Sequence, residues 1–411
     1  MKKYNLKSNS LYTIYRAFSL DLLFFMTYYS IFFMDEKNFS QSDLSSIILV
    51  SSLFYIVLEP LLVKVIQKLG NTKSMRAGGL LWIVGLTMMA FGPNKITVFA
   101  GDIIYQIAFL LKAVEPIILR NNLKLENREE DFSKTEGTAY SLYSILTAVI
   151  MLITGFMYDY NPYSIVYACY VFLIFDIVLS FIIKDEQEYN AQTQKQVKNL
   201  NEKTKKSVFT GFVLLICLSS FLYSGVIGNV FGSFSVLIKE TNIIKNNSGI
   251  TFIIFFGRIS RIIAAGLYST LYKKLKNKIL VIFPVLLFVF LSLVFIVGQF
   301  ITDDTAKISI YIALLVIVYT MRDPFILYIQ DTIFNYININ ERRDVISINL
   351  LFYKLGSVVT SFVCWFVLKE FNQRQYIAFG AMALLIFVTI IFAVILFYKL
   401  KSIDKKNLQN E

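Results

Sequence analysis

Apolar runs of about twenty residues recur along the chain, separated by short polar stretches. They fall near 11–33, 43–64, 75–92, 96–119, 137–158, 162–183, 208–236, 249–271, 279–301, 308–330, 345–368 and 375–398. A helix needs about 20 apolar residues to cross the hydrocarbon core of a bilayer. These runs are too long and continuous for half-buried strands, and barrel strands would alternate with a period of two. The pattern predicts an all-α integral membrane protein with about 12 transmembrane helices. Composition agrees: 56% of the 411 residues are hydrophobic and only 17% are charged, where a soluble domain carries about a quarter.

The longest polar stretch, 184–207, reads "KDEQEYNAQTQKQVKNLNEKTKKS". With nothing to bury, it is expected to be a solvated linker. It divides the chain into an N-terminal six-helix half, 1–183, and a C-terminal six-helix half, 208–411. Two parallel halves of this kind are a layout of secondary transporters, with the solute path between them at the bilayer midplane.

Charge adds an orientation. The net charge is +12, and the lysines and arginines gather in alternate loops. They include Lys2, Lys3 and Lys7, then Lys64, Lys68, Lys73 and Arg76, the five lysines between 195 and 206, and Lys273, Lys274, Lys276 and Lys278. Arg342 and Arg343 follow, and then Lys399, Lys401, Lys405 and Lys406. The intervening loops, such as "FGPNK" and "YDYNPY", carry little positive charge. Basic loops stay in the cytoplasm, so both termini are expected there, in a multi-pass protein of the inner (cytoplasmic) membrane. The basic balance thus reports topology and contact with the lipid bilayer. Nucleic-acid binding would need a soluble basic face, and none is present in the pattern.

Cys169, Cys217 and Cys364 lie inside predicted spans without paired spacing, the pattern of inert buried thiols. There is no histidine, which removes the commonest metal ligand and the usual proton carrier near neutral pH. No cofactor and no metal are expected. The N-terminus lacks a small-residue cleavage site, so the first apolar run reads as an uncleaved span.

Candidate chemistry lies in charges within the spans, which are costly there and face the bundle interior or a water-filled cavity. Without histidine, a proton carrier must be a carboxylate, and the candidates for proton or ion coupling are Asp21, Glu59, Glu115 and Asp323. Glu59 also lies near enough to Lys64 for a structural ion pair. Candidates for the solute cavity are Lys112, Arg258, Arg261, Arg322, Lys354 and Tyr28. Lys112 and Glu115 are three apart, as are Arg258 and Arg261, so each pair shares a helix face. The two arginines would either receive an anionic or polar solute or neutralise carboxylates across the bundle. Arg16 is expected to snorkel to the inner surface.

Three stretches resemble the major facilitator superfamily. "VKVIQKLGNTK" (63–73) is a weakened form of its loop between helices two and three. Lys68 and Gly70 match, Lys73 supplies a nearby basic residue, and Gln67 stands where the family has aspartate. "EPIILRNNL" (115–123) and "NERRDVISI" (340–348) are similar to signatures of a bacterial drug- and metabolite-exporter subgroup, as is Glu59 in helix two. The fifth helix lacks the glycine-rich run of the family's drug antiporters. The resemblance implies two halves that rock about a central cavity, with Lys68, Gly70 and Lys73 in a cytoplasmic gating loop. The expected function is secondary active transport of a small organic solute by a monomer, as proton-coupled efflux. The alternatives are import of a nutrient or metabolite and a non-transporting membrane sensor. A membrane enzyme is disfavoured, since no nucleophile is paired with a base and the loops are short.

Overall fold

The computed structural model of the chain describes residues 5–128, 131–183, 211–241, 243–244, 246–337 and 342–410. The expected linker, 184–207, and Glu341 of the "NERRDVISI" stretch lie outside the described residues. Among those residues the regular elements are all helical.

In chain order the first eight helices are α1 (Asn5–Ser19), α2 (Phe25–Lys37), α3 (Gln41–Leu69), α4 (Asn71–Phe91), α5 (Lys95–Lys112), α6 (Glu115–Leu125), α7 (Phe132–Tyr160) and α8 (Ser164–Ile182). Then come α9 (Gly211–Glu240), α10 (Asn247–Gly266), α11 (Tyr268–Leu275) and a 3-10 turn at Lys276–Lys278. The last four are α12 (Ile279–Phe300), α13 (Asp304–Tyr336), α14 (Arg342–Glu370) and α15 (Gln375–Asn410).

Eleven stretches of helix among the described residues are long and apolar enough to cross a bilayer. α5 with α6, and α11 with α12, each make one of them. The eleven correspond in order to the second through twelfth apolar runs of the sequence. The first run, 11–33, is divided instead between α1 and α2. The break spans Leu20–Phe24, where Phe24 takes φ +67°, a left-handed conformation that costs a non-glycine residue about 1–2 kcal/mol. Short-range bonds hold it: Leu23 N–H donates to the Asp21 carbonyl at 3.0 Å and Phe25 N–H to the Leu23 carbonyl at 2.9 Å. Large apolar side chains point outward from the helices, with Val57, Phe156, Val171 and Leu384 each more than 60% exposed. Soluble monomers rarely present contiguous apolar surface on this scale; lipid solvates it.

Two local breaks have clear causes. α3 ends at Gly70, whose φ of +83° is open to glycine at no steric cost. The Gly70 carbonyl then accepts from the Ser74 N–H at 3.1 Å and the Ser74 hydroxyl at 2.8 Å, starting α4. The span made of α5 and α6 breaks at Ala113–Val114 because Pro116 lacks an N–H and its ring crowds the Lys112 carbonyl. The chain tightens there, with the Ala113 N–H donating to Leu110 at 3.2 Å and the Ile117 N–H to Val114 at 2.9 Å.

The chain forms two compact units, Met1–Lys37 with Phe54–Asn201, and Asn38–Leu53 with Glu202–Glu411. In the first unit α4 lies along α5, while α1 packs on α7 and α8. In the second, α9 packs on α14 and α15, α12 on α15, and α10 on α13.

Candidate functional site

The first unit encloses a network of ionisable side chains drawn from α1, α5, α6, α7 and α8. Glu115, at the start of α6 and wholly buried, is its centre. Its Oε1 accepts from the Tyr15 hydroxyl at 2.6 Å and lies 3.2 Å from Lys112 Nζ. Its Oε2 accepts from Arg16 Nη1 at 2.5 Å and the Ser19 hydroxyl at 2.7 Å. Four donors thus converge on one carboxylate. Arg16 Nε also donates to Glu136 of α7 at 3.0 Å, and Glu136 accepts from the Tyr12 hydroxyl at 3.0 Å.

Lys112 joins this centre to α8. Its Nζ donates to Asp176 Oδ2 at 2.7 Å and to the Tyr15 hydroxyl at 3.2 Å, and it lies 4.4 Å from the centre of the Trp82 ring. Asp176 is buried, and its other oxygen, Oδ1, has no hydrogen-bond partner among the described residues. Local sequence explains how the lysine fits. Gly78 of α4 leaves the room it occupies: a Cβ there would stand 2.6 Å from Lys112 Cγ and 2.9 Å from the Ala108 carbonyl oxygen. The Pro116 break brings Lys112 and Glu115 to one side of their span. Around the charges lie Met75, Val114, Ile118, Leu179 and Ile183, an apolar shell that strengthens each interaction and makes each unpaired charge costly. Among the described residues three carboxylates (Glu115, Glu136 and Asp176) face two cations (Arg16 and Lys112), so the fully ionised cluster carries one negative charge in excess.

Asp21 is in the same unit, in the break between α1 and α2. Its Oδ1 accepts from the Leu22 N–H at 2.8 Å and the Tyr105 hydroxyl at 2.7 Å. Asp102 is buried one turn before Tyr105 on α5. Tyr28 is buried against the Tyr158 ring, at 4.9 Å between centroids. Glu59 is half-buried in α3, one position before the in-helix Pro60, and forms no ion pair with Lys64 among the described residues. Lys68, Gly70 and Lys73 are exposed around the turn between α3 and α4.

The second unit has a more open charge cluster. Arg261 Nε of α10 donates to Asp323 Oδ2 of α13 at 2.6 Å, with the two side chains 35% and 22% exposed. Arg322 Nε lies 3.8 Å from Asp323 Oδ1, and its guanidinium lies 5.2 Å from the centre of the Phe231 ring. The Phe231 ring packs against Tyr319 at 4.4 Å with the planes tilted by 38°, and Tyr223 packs on Phe325 at 3.9 Å. Arg258, one turn before Arg261, is half-buried and makes no ion pair or hydrogen bond among the described residues. Lys354 is half-buried in α14.

Sequence reasoning therefore placed Glu115 and Lys112 at a site and left out the groups that complete it. Arg16 does not reach the surface; it is 8% exposed and turns inward onto Glu115 and Glu136. Asp176, a further carboxylate in the sixth apolar run, is 1% exposed. The available signal was the i, i+3 spacing of Arg16 with Ser19 and of Lys112 with Glu115, which sets each pair on one side of its own stretch of chain.

Residues 11–361 match the sequence model of the Major Facilitator Superfamily. The fold is similar to that of the nucleoside transporter NupG, with a TM-score of 0.72 and 11% identity over 96% of this chain and 100% of that one. A bacterial homologue of the iron transporter ferroportin, in its inward-facing state, gives a TM-score of 0.71 and 10% identity over 95% and 100% of the two chains. A D-xylose-proton symporter gives 0.67 and 11% over 96% and 97%. No curated protein matches the chain in sequence.

Proposed function

The chain belongs to the Major Facilitator Superfamily, and from that premise we propose that it moves a small organic solute across the cytoplasmic membrane by alternating access, coupled to protons. Its family and its structural neighbours are transporters rather than enzymes. Twelve spans with both termini in the cytoplasm, α1 and α2 together making the first, complete the topology of this reading. The halves divide at 184–207, and the protein acts as a monomer.

The observation that carries the coupling is the imbalance, among the described residues, of three carboxylates against two cations in a largely buried cluster. Glu115 is held by four donors, so protonating it would forfeit several charge-assisted bonds. Asp176 holds Lys112 through one oxygen and has the other without a partner among the described residues. It is therefore the group that takes up a proton, on Oδ1, while keeping its hydrogen bond from Lys112 and leaving Lys112 paired with Glu115, and protonation makes the cluster neutral. Asp21, bound to Tyr105 in a broken helix, is the second coupling candidate. Asp323 is committed to Arg261, and Glu59 lacks the burial that would couple its charge to a conformational change. Arg258, with Phe231 and Tyr319 in the same unit, supports a solute bearing an anionic or strongly polar group on a flat apolar body.

Export is the direction supported by the exporter-like stretches at Glu59, 115–123 and 340–348. Import is favoured instead by the likeness to a D-xylose-proton symporter. Proteoliposomes with an imposed pH gradient separate the two. Export requires solute to move against the proton flow, import requires it to move with it, and a chain that moves no solute under either gradient is not a transporter.

A further inference from the structure

At one end of the second unit, α11, the 3-10 turn, α13 and α15 surround a cavity of about 330 Å³. Its walls are Tyr272, Lys273, Lys276, Asn277, Tyr336 and Asp404. That volume lies at the small end of ordinary ligand sites. Three membrane-spanning stretches start or finish here: Thr270–Phe300 starts, while Asp304–Ile333 and Gln375–Lys405 finish. The cavity therefore sits at one water–bilayer boundary.

Its floor is fixed. Asp404 accepts from the Tyr336 hydroxyl at 2.6 Å and Asn277 Nδ2 at 3.1 Å, and the Asn277 amide oxygen accepts from the Tyr328 hydroxyl at 3.0 Å. With both its oxygens engaged, Asp404 serves as a brace between α13, α15 and the turn. The lysines differ. Lys273 and Lys276 are exposed and make no ion pair or hydrogen bond among the described residues. Lys276 also holds φ +45° and ψ −134° at the end of α11, a backbone conformation that glycine adopts freely and lysine does not. A strained lysine at a cavity wall, where glycine would relieve the strain, fits a site that needs its ammonium. Outside the walls, Lys274, Lys278, Lys401 and Lys405 add further positive charge.

We propose that this cavity binds a phosphate group, held by the Lys273 and Lys276 ammonium groups against the Tyr272 ring. Two sources offer that chemistry at this boundary: the headgroup of an anionic phospholipid and a soluble phosphate. Clusters of lysine beside a span attract anionic headgroups at a strength of about fivefold in affinity per lysine.

The test uses the full-length protein, stripped of bound lipid in detergent. It is titrated separately with phosphatidylglycerol, read by native mass spectrometry, and with inorganic phosphate, read by calorimetry. Lys273→Gln with Lys276→Gln is expected to weaken binding by roughly thirtyfold, as two such lysines imply. Lys274→Gln with Lys401→Gln removes the same charge outside the cavity and is expected to weaken binding clearly less. Loss confined to phosphatidylglycerol assigns a lipid headgroup, and loss confined to or shared by inorganic phosphate assigns a soluble phosphate. Unchanged binding in the cavity variant, or an equal loss in the control variant, overturns the proposal.

Discussion

Lys112 Nζ lies 2.7 Å from Asp176 Oδ2, joining two residues 64 positions apart whose side chains are 3% and 1% exposed. The pair has no water to fall back on if one partner is removed. Breaking such a buried pair from one side costs about 3–5 kcal/mol, because the other charge is left uncompensated. Lys112→Met is therefore expected to lower the detergent-solubilised melting temperature by many degrees. Adding Asp176→Asn to that variant should restore part of the loss. A Lys112→Met protein as stable as the parent would remove the network from any structural role.

Gly78→Ala tests the room made for that lysine. The added methyl would overlap Lys112 Cγ and the Ala108 carbonyl oxygen, and overpacking of this kind costs about 1–3 kcal/mol. Thermal unfolding should show the loss, and a Gly78→Ala/Lys112→Ala double variant should show less than the sum of the single losses. Additive losses would mean that the two sites are independent.

At Gly70 the issue is backbone conformation rather than space, since nothing lies within 4 Å of a Cβ there. Gly70→Val should destabilise by about 1–2 kcal/mol through its left-handed φ, while Gly70→Asn should cost clearly less. Equal stability of the two variants would contradict the assigned turn.

The Arg261–Asp323 pair is partly exposed, so its contribution to stability is small, on the order of 0.2–1 kcal/mol. Its expected effect is on transport. Asp323→Asn should reduce solute flux severalfold at nearly unchanged melting temperature, and Arg258→Gln should raise the KM for the solute while leaving stability intact. A collapse of expression in either variant would show a structural role instead.

The helical class and eleven of the spans were legible because a bilayer imposes a length and an apolarity that composition records directly. The division of the first apolar run at Leu20–Phe24 was not legible. That stretch contains neither glycine nor proline, and its irregular backbone is held by Asp21 and by local bonds. Lys112 and Glu115 were legible as a pair through their spacing. Arg16 and Asp176 were not, because a charge near a span end reads as a snorkelling or solvated group until helix rotation is known. The Arg258–Arg261 face was ambiguous between solute contact and charge neutralisation, and the structure divides it: Arg261 neutralises Asp323, while Arg258 has no such partner among the described residues.

The central claim is that Asp176 carries the coupled proton. Its most direct test is solute-dependent proton movement in proteoliposomes loaded with a pH-sensitive dye and challenged with a panel of small organic solutes. The parent is expected to move protons with at least one solute. Asp176→Asn, folded by its melting curve, is expected to lose that proton flux while still exchanging the same labelled solute across the membrane. Proton flux in Asp176→Asn equal to that of the parent would contradict the account.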